Sequence, residues 1–268
     1  MQTFAATGLA SAVALLAMLG SACGAPANGG RPSAPTPPGP APTARLLVVT
    51  HTAGFRHDSI PAAESTLRDL GIEHAVYQTE FCRTADEVRQ RLTPSGLSSF
   101  DAVFFANTTG DLGIPDMQAF LDWIAGGGAF LGAHSASDTY HDQPAFLEML
   151  GGEFRTHGAI AEADIRVDDP AHPAVSHLAP RFRIVDELYR IDRATRANVH
   201  VLLSMDRNPP DGLGESGAPA DLLMAWTRSH GSGRVFYTAL GHRPEVWRDE
   251  RFRRHLLEAI RWAMAQPR

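Results

Sequence analysis

Residues 128–142 read GAFLGAHSASDTYHD, an apolar run that passes directly into a polar turn. Gly128–Ala133 is an uncharged apolar run, followed at once by a polar segment rich in His, Ser and Asp. A short apolar run bounded by such punctuation is the composition of a strand buried on both faces, as in a parallel sheet. Ligands in open α/β sheets bind beyond the carboxyl ends of the strands, where loops and helix N-termini supply polar groups. The segment after Ala133 therefore offers His134, Ser135, Asp138, Tyr140, His141 and Asp142 as candidates.

The same alternation extends outward in both directions. Upstream, Arg45–Thr50 (RLLVVT) reads as a buried strand, Ser59–Leu70 as a helix with Pro61 in its first turn and Gly71 closing it, and Ile72–Gln78 as a second strand. Thr84-Ala85-Asp86-Glu87 is a capping box opening a helix to about Leu92, which Pro94 stops. Asp101–Ala106 (DAVFFA) is a third strand, and Met117, Phe120, Leu121 and Ile124 share one helical face. Downstream, strands fit Ile165–Val167, Phe182–Val185, Val199–Met205, Leu222–Thr227 and Arg234–Ala239. A closing helix carries the stripe Phe252, Leu256, Ile260 and Ala263. No break calls for a second domain in residues 44–268.

The chain has 268 residues, 44% of them hydrophobic and 20% charged, which suits a packed domain. Its net charge of -6 argues against a nucleic-acid partner. All 24 basic residues are Arg, so Schiff-base and P-loop lysine chemistry are excluded. With two Cys there is no disulfide scaffold.

Residues 1–22 read as an export signal, with an uncharged apolar core from Phe4 to Ala22. Leu19-Gly20-Ser21-Ala22-Cys23 resembles a lipobox, which marks Cys23 for lipidation. A soluble secreted form and an uncleaved anchor are the alternatives. Residues 23–43, rich in Pro, Gly and Ala, are an extended tether. The expectation is an exported domain that meets the membrane only through its lipid.

Strand ends elsewhere add to the candidate site. HTAGFRHD (51–58) contributes Arg56 and His57, NTTGD (107–111) contributes Thr108, and GHRPE (241–245) contributes His242. EFRTHG (153–158) supplies His157, and VDELY (185–189) supplies the pair Asp186-Glu187. GGGAFLG precedes a strand where a dinucleotide loop must follow one, and Ser135 is not in a GxSxG elbow because His134 holds the central position.

That elbow carries a resemblance. Gly132-Ala133-His134-Ser135-Ala136 is similar to the nucleophile turn of class I glutamine amidotransferases, with His134 where the Cys should stand, so thioester chemistry on glutamine is not available. With HTAGFRHDSI, GAHSASDTY, VDELY, HVLL and RVFYTALGH in this order, residues 45–265 resemble the trehalose-utilisation (ThuA-like) family. The resemblance implies a flavodoxin-like, mainly parallel sheet with helices on both faces in a single domain. It also implies a role in disaccharide or glycoside catabolism, on sugars oxidised at the 3-position, with a sugar dehydrogenase as the implied partner.

Two mechanisms fit these residues. In one, His134, His242 and Glu187 are acid and base, with His57 beside them and Arg56 polarising the carbonyl oxygen. In the other, His134, His157 and His242 hold a divalent metal, the one cofactor the residues suggest. Asp138, Ser135, Thr108 and Tyr140 are the expected substrate contacts. The alternative to an enzyme is a lipid-anchored carbohydrate-binding protein without catalysis.

Overall fold

The computed structural model describes residues 44–265; the segments expected to be an export signal and tether, with Cys23, lie outside the described residues. Its centre is a nine-stranded sheet. β1 (Arg45–Val49), β2 (Gln78–Cys82), β3 (Ala102–Ala106), β4 (Ala129–Ala133) and β11 (Gly233–Thr238) are parallel, in the order β2-β1-β3-β4-β11. Four antiparallel strands continue from β11: β10 (Pro219–His230), β9 (His200–Arg207), β6 (Ala161–Val167) and β7 (Arg181–Asp186). β5 (Glu153–His157) and β8 (Tyr189–Asp192) form a separate two-stranded ribbon.

The expected strands 1, 3 and 4 and the last strand are the central ones, and every residue of β3 and β4 is buried. Helices α1 (Ile60–His74), α6 (Pro244–Arg248) and α7 (Glu250–Met264) pack together, with α7 against β4 and β11. α3 (Pro94–Leu97), α4 (Met117–Ala125) and α5 (Pro144–Leu150) form a second set reaching β11. The capping box at Thr84 opens α2 (Ala85–Arg91) as expected, although Pro94 starts a further short helix instead of ending the segment.

One boundary is corrected. Gly71 does not close α1, and residues 72–77 are not strand. The helix runs through Gly71 to a left-handed cap at Ala75 (φ 50°), and β2 begins only at Gln78. Gly71 is there for close approach, because a Cβ would stand 2.7 Å from the Tyr77 carbonyl oxygen. Ile72, which suggested a strand, is 71% exposed on the helix surface.

The turn after β4 is tight. A short 3-10 turn (His134–Asp138) folds straight back over the strand, so a Cβ on Gly132 would lie 2.9 Å from that of Ala136. His134 itself adopts the left-handed conformation (φ 50°), which costs a residue with a Cβ about 1–2 kcal/mol. Such a residue persists only where its surroundings hold it.

Candidate active site

Those surroundings come chiefly from β11, the parallel neighbour of β4. Ala133 pairs with Thr238, which sets the next residues, His134 and Ala239, side by side. His134 Nδ1 lies 3.0 Å from the Ala239 carbonyl oxygen, and the Tyr237 hydroxyl donates to the His134 carbonyl at 2.7 Å. A carbonyl only accepts, so the ring proton of neutral His134 sits on Nδ1 and its Nε2 lone pair faces inward.

His242 arrives on the loop after β11. Gly241 has φ +124°, a conformation L side chains rarely adopt. Its carbonyl accepts from Trp247 Nε1 at 2.7 Å and Asn107 Nδ2 at 2.9 Å. Beneath the loop, the fully buried Asp186 at the end of β7 accepts from Gly241 N at 2.7 Å and from Arg243 N at 3.1 Å. Burial pushes the Asp186 carboxyl up against these bonds. Glu187 follows directly and enters the cluster.

The result is a triangle of inward-facing atoms. His242 Nδ1 is 3.2 Å from Glu187 Oε2 and 3.3 Å from His134 Nε2, and His134 Nε2 is 3.5 Å from Glu187 Oε2. His57, on the loop after β1, completes a set of four whose ligand atoms all lie within 4.8 Å of one another. His57 Nδ1 is 3.4 Å from Ser135 Oγ, leaving its other nitrogen for the cluster. Burial, then the neighbouring His134 and His242, pushes His57 down to about 3. Burial works to raise the Glu187 carboxyl, but the imidazoles of His134 and His242 outweigh it and hold it below the usual carboxylate range. His242 is raised in turn by its hydrogen bond to Glu187.

Above the cluster opens a cleft of about 270 Å³, lined by Phe55, His57, Asp138, Phe154, His157, Glu187, Tyr189 and His242. His157 stands on its rim, Nδ1 lying 3.1 Å from Glu187 Oε1 and 2.9 Å from the Gly158 carbonyl. It thus faces the other carboxylate oxygen and is not one of the four clustered donors.

Of the residues expected from sequence, His57, His134, Glu187 and His242 converge, and Asp138 and His157 line the cleft. Ser135 lies behind His57. Thr108 is buried and bonds Thr139 Oγ1 at 2.8 Å, while the Tyr140 hydroxyl accepts from Ile114 N at 3.1 Å; neither lines the cleft. Arg56 is exposed and donates to the Thr50 carbonyl at 3.2 Å, outside the cleft lining. Phe55, Phe154 and Tyr189 escaped sequence reasoning as site residues, whereas Asp186 was paired with Glu187 and proves to be the anchor of the loop. The VDELY motif that supplied Asp186 and Glu187 already contained Tyr189.

Fold and site together define an α/β protein of amidotransferase-like architecture whose elbow presents an imidazole. The chain belongs to the ThuA (trehalose utilisation) family, whose sequence profile matches residues 45–263. A ThuA-like protein from Bacteroides uniformis shares the fold at 22% identity, covering 86% of this chain and 95% of its own, with a TM-score of 0.68. Another from Parabacteroides merdae matches at 19% identity, 84% and 90% coverage and a TM-score of 0.69. A β-galactosidase from Bacillus circulans sp. alkalophilus contains a similar fold within 31% of its chain, at 13% identity over 83% of this one and a TM-score of 0.53. No curated protein matches the sequence.

Proposed function

We propose that the protein acts on a carbonyl-bearing sugar, of the 3-keto glycoside class, in disaccharide or glycoside catabolism, using a divalent cation held by His57, His134, Glu187 and His242. The observation that carries this is the triangle of His134, Glu187 and His242 at the floor of the cleft. With Nδ1 donating to Ala239, His134 turns Nε2 toward a carboxylate oxygen, a contact that takes either a second ring proton or a metal ion between them, and the His242 nitrogen 3.3 Å away supports the metal. Edges of 3.2, 3.3 and 3.5 Å match the separation of about 3.3–3.4 Å expected between ligand atoms 2.0–2.1 Å from a tetrahedral ion. The ring nitrogens turned away from the cluster on His134 and His57 have chain partners, as metal-bound imidazoles do. A divalent ion there supplies polarisation of a sugar carbonyl.

The chain's own groups supply the proton chemistry. His157 donates its Nδ1 proton toward Glu187 and the Gly158 carbonyl, which leaves Nε2 as a base at the rim. It takes the proton from C2, next to the C3 ketone, and the C–H electron pair forms the enolate with charge on O3. When the enolate collapses, the C1–O glycosidic bond breaks and the leaving oxygen takes the proton back from the His157 imidazolium. The products are an unsaturated keto sugar and the released sugar or alcohol, and the balance requires no redox partner. Supply of the ketone does require one, which assigns a sugar dehydrogenase to the preceding step. Export with a lipid at Cys23 belongs to the same proposal and rests on the sequence of residues 1–23.

The test is proton NMR of the purified protein with trehalose, other disaccharides and their 3-keto derivatives, with and without exhaustive EDTA. Turnover of the keto sugars alone, lost on chelation and restored by zinc or manganese, is the expected result. Full turnover in demonstrably metal-free protein removes the cation. Binding of sugars without conversion of any replaces the enzyme with a carbohydrate-binding protein.

A further inference from the structure

The cleft holds two polar groups that the chemistry above leaves unused. Tyr189 is only 3% exposed, yet its hydroxyl makes no hydrogen bond among the described residues, although Tyr189 lines the cleft. The other buried tyrosine hydroxyls at 77, 140 and 237 are all bonded within the fold, so Tyr189 is the tyrosine whose phenol is left free to serve the cleft. The Tyr189 ring is fixed by packing on His134, with centroids 4.2 Å apart, and on Phe154 at 4.4 Å.

Asp138 is the second group. One of its oxygens is held 2.7 Å from His141 Nε2, and the other has no partner among the described residues. His141 is itself clamped, with Nδ1 2.9 Å from Glu153 Oε1, and Glu153 is tied through Oε2 to Arg193 Nε at 2.6 Å. Four residues in series therefore fix one carboxylate at the wall of the cleft. This exceeds what an isolated surface ion pair requires, and it reduces the ordering cost of any bond that Asp138 makes to a ligand.

We infer that Tyr189 and Asp138 are the specificity-determining pair of a single-ring sugar subsite, the phenol donating to one ring oxygen or hydroxyl and the carboxylate accepting from another. This rests on the sugar-acting function proposed above. Phe154 and Phe55 supply the apolar walls against which a pyranose face can lie, and Phe55 is 66% exposed at the mouth. A cleft of about 270 Å³ falls below the span of roughly 300–1,000 Å³ that encloses a drug-sized ligand. It suits one ring, so the second sugar or aglycone remains outside and is not read. His141, Glu153 and Arg193 are positioning residues that act through Asp138.

The experiment compares steady-state kinetics of the intact protein on methyl 3-keto-α-glucoside and 3-keto-trehalose, with methyl α-glucoside as a non-reacting competitor. Tyr189→Phe and Asp138→Asn should each raise KM for both substrates on the order of ten- to a hundredfold, as expected for a lost bond to a site built to receive it. Their kcat should change less than KM, and their metal content should match wild type. His141→Ala should follow Asp138→Asn and add little to it in the double variant. His141→Gln, whose amide still donates to Asp138, should recover most of the loss. Unchanged KM in folded, metal-replete Tyr189→Phe and Asp138→Asn overturns the pair while leaving the wild-type activity standing. Tenfold or greater preference for the disaccharide over the methyl glycoside overturns the single-ring reading. A wild-type protein that neither converts the keto sugars nor binds methyl α-glucoside removes the proposed function and the subsite together.

Discussion

Asp186→Asn tests how the loop bearing His242 is held. The carboxylate accepts two backbone N–H groups, Gly241 at 2.7 Å and Arg243 at 3.1 Å, and both of its oxygens must be acceptors to do so. An amide of the same shape can present only one oxygen, so one N–H then faces an NH2 group in a fully buried place. Losing one charge-assisted bond costs about 1.5–3 kcal/mol, and stranding the donor adds about 1–3 kcal/mol. Burial of the charge, which already pushes this carboxyl upward, is relieved in the variant and offsets part of that loss. A net destabilisation of about 2 kcal/mol lowers Tm by about 4–8 °C in a domain of this size. Slackening at the loop should also weaken zinc binding by about 10–100-fold, the usual effect of losing a group that orients a ligand. Differential scanning fluorimetry and competition with a fluorescent chelator read the two effects. Wild-type Tm together with wild-type zinc affinity would refute the reasoning and leave the loop to the Trp247 and Asn107 bonds on Gly241.

Three other outcomes are expected. His157→Asn should lower kcat on keto sugars about 10²–10⁴-fold while leaving bound metal at the wild-type level, measured by single-turnover kinetics and elemental analysis; parallel loss of metal would move His157 into the ligand set. His255, buried between Phe236 and Phe252 with Nε2 unpartnered, is lowered by burial to about 4 from 6.5. Its unfolded form binds the proton more readily, so stability is full above pH 6.5 and falls as pH drops toward 4, by at most about 3 kcal/mol. Urea midpoints at pH 7 and 4.5 should differ less in His255→Phe than in wild type, and an equal difference would dismiss this source of acid sensitivity. Cys23→Ser should move the protein from the membrane fraction to the soluble one, and an unchanged distribution would rule out the lipid.

The strands read most directly from sequence were those buried on both sides, while α4 and α7 were legible from their apolar stripes. β1, β3, β4 and β11 are continuous apolar runs because the parallel sheet leaves them no solvent face. Ile72 misled because an exposed branched residue on a helix looks like a strand position when Gly71 seems to end the helix. The β5–β8 ribbon and the short helices α5 and α6 carry too few periodic positions to register. In the site, strand-end placement was enough to find His57, His134, Glu187 and His242, since each follows a strand. It did not distinguish ligand from neighbour. Arg56 and His57 share one loop, and only its three-dimensional course turns the imidazole inward and the guanidinium back to Thr50. His157 and His57 were exchangeable on paper because their distance to Glu187 Oε2 depends on a ribbon that the sequence hid.

The bond from His134 to Ala239 has a consequence beyond orientation of one ring. It joins residues 105 apart in the chain across the seam between β4 and β11. Occupancy of the cluster by the proposed cation and registry of the central sheet would thus depend on the same contacts, in a parallel pairing that closes a long segment of chain. The backbone amides of β11 should therefore exchange with deuterium more slowly when the cluster is filled, and the seam should be the first part of the central sheet to open when it is emptied.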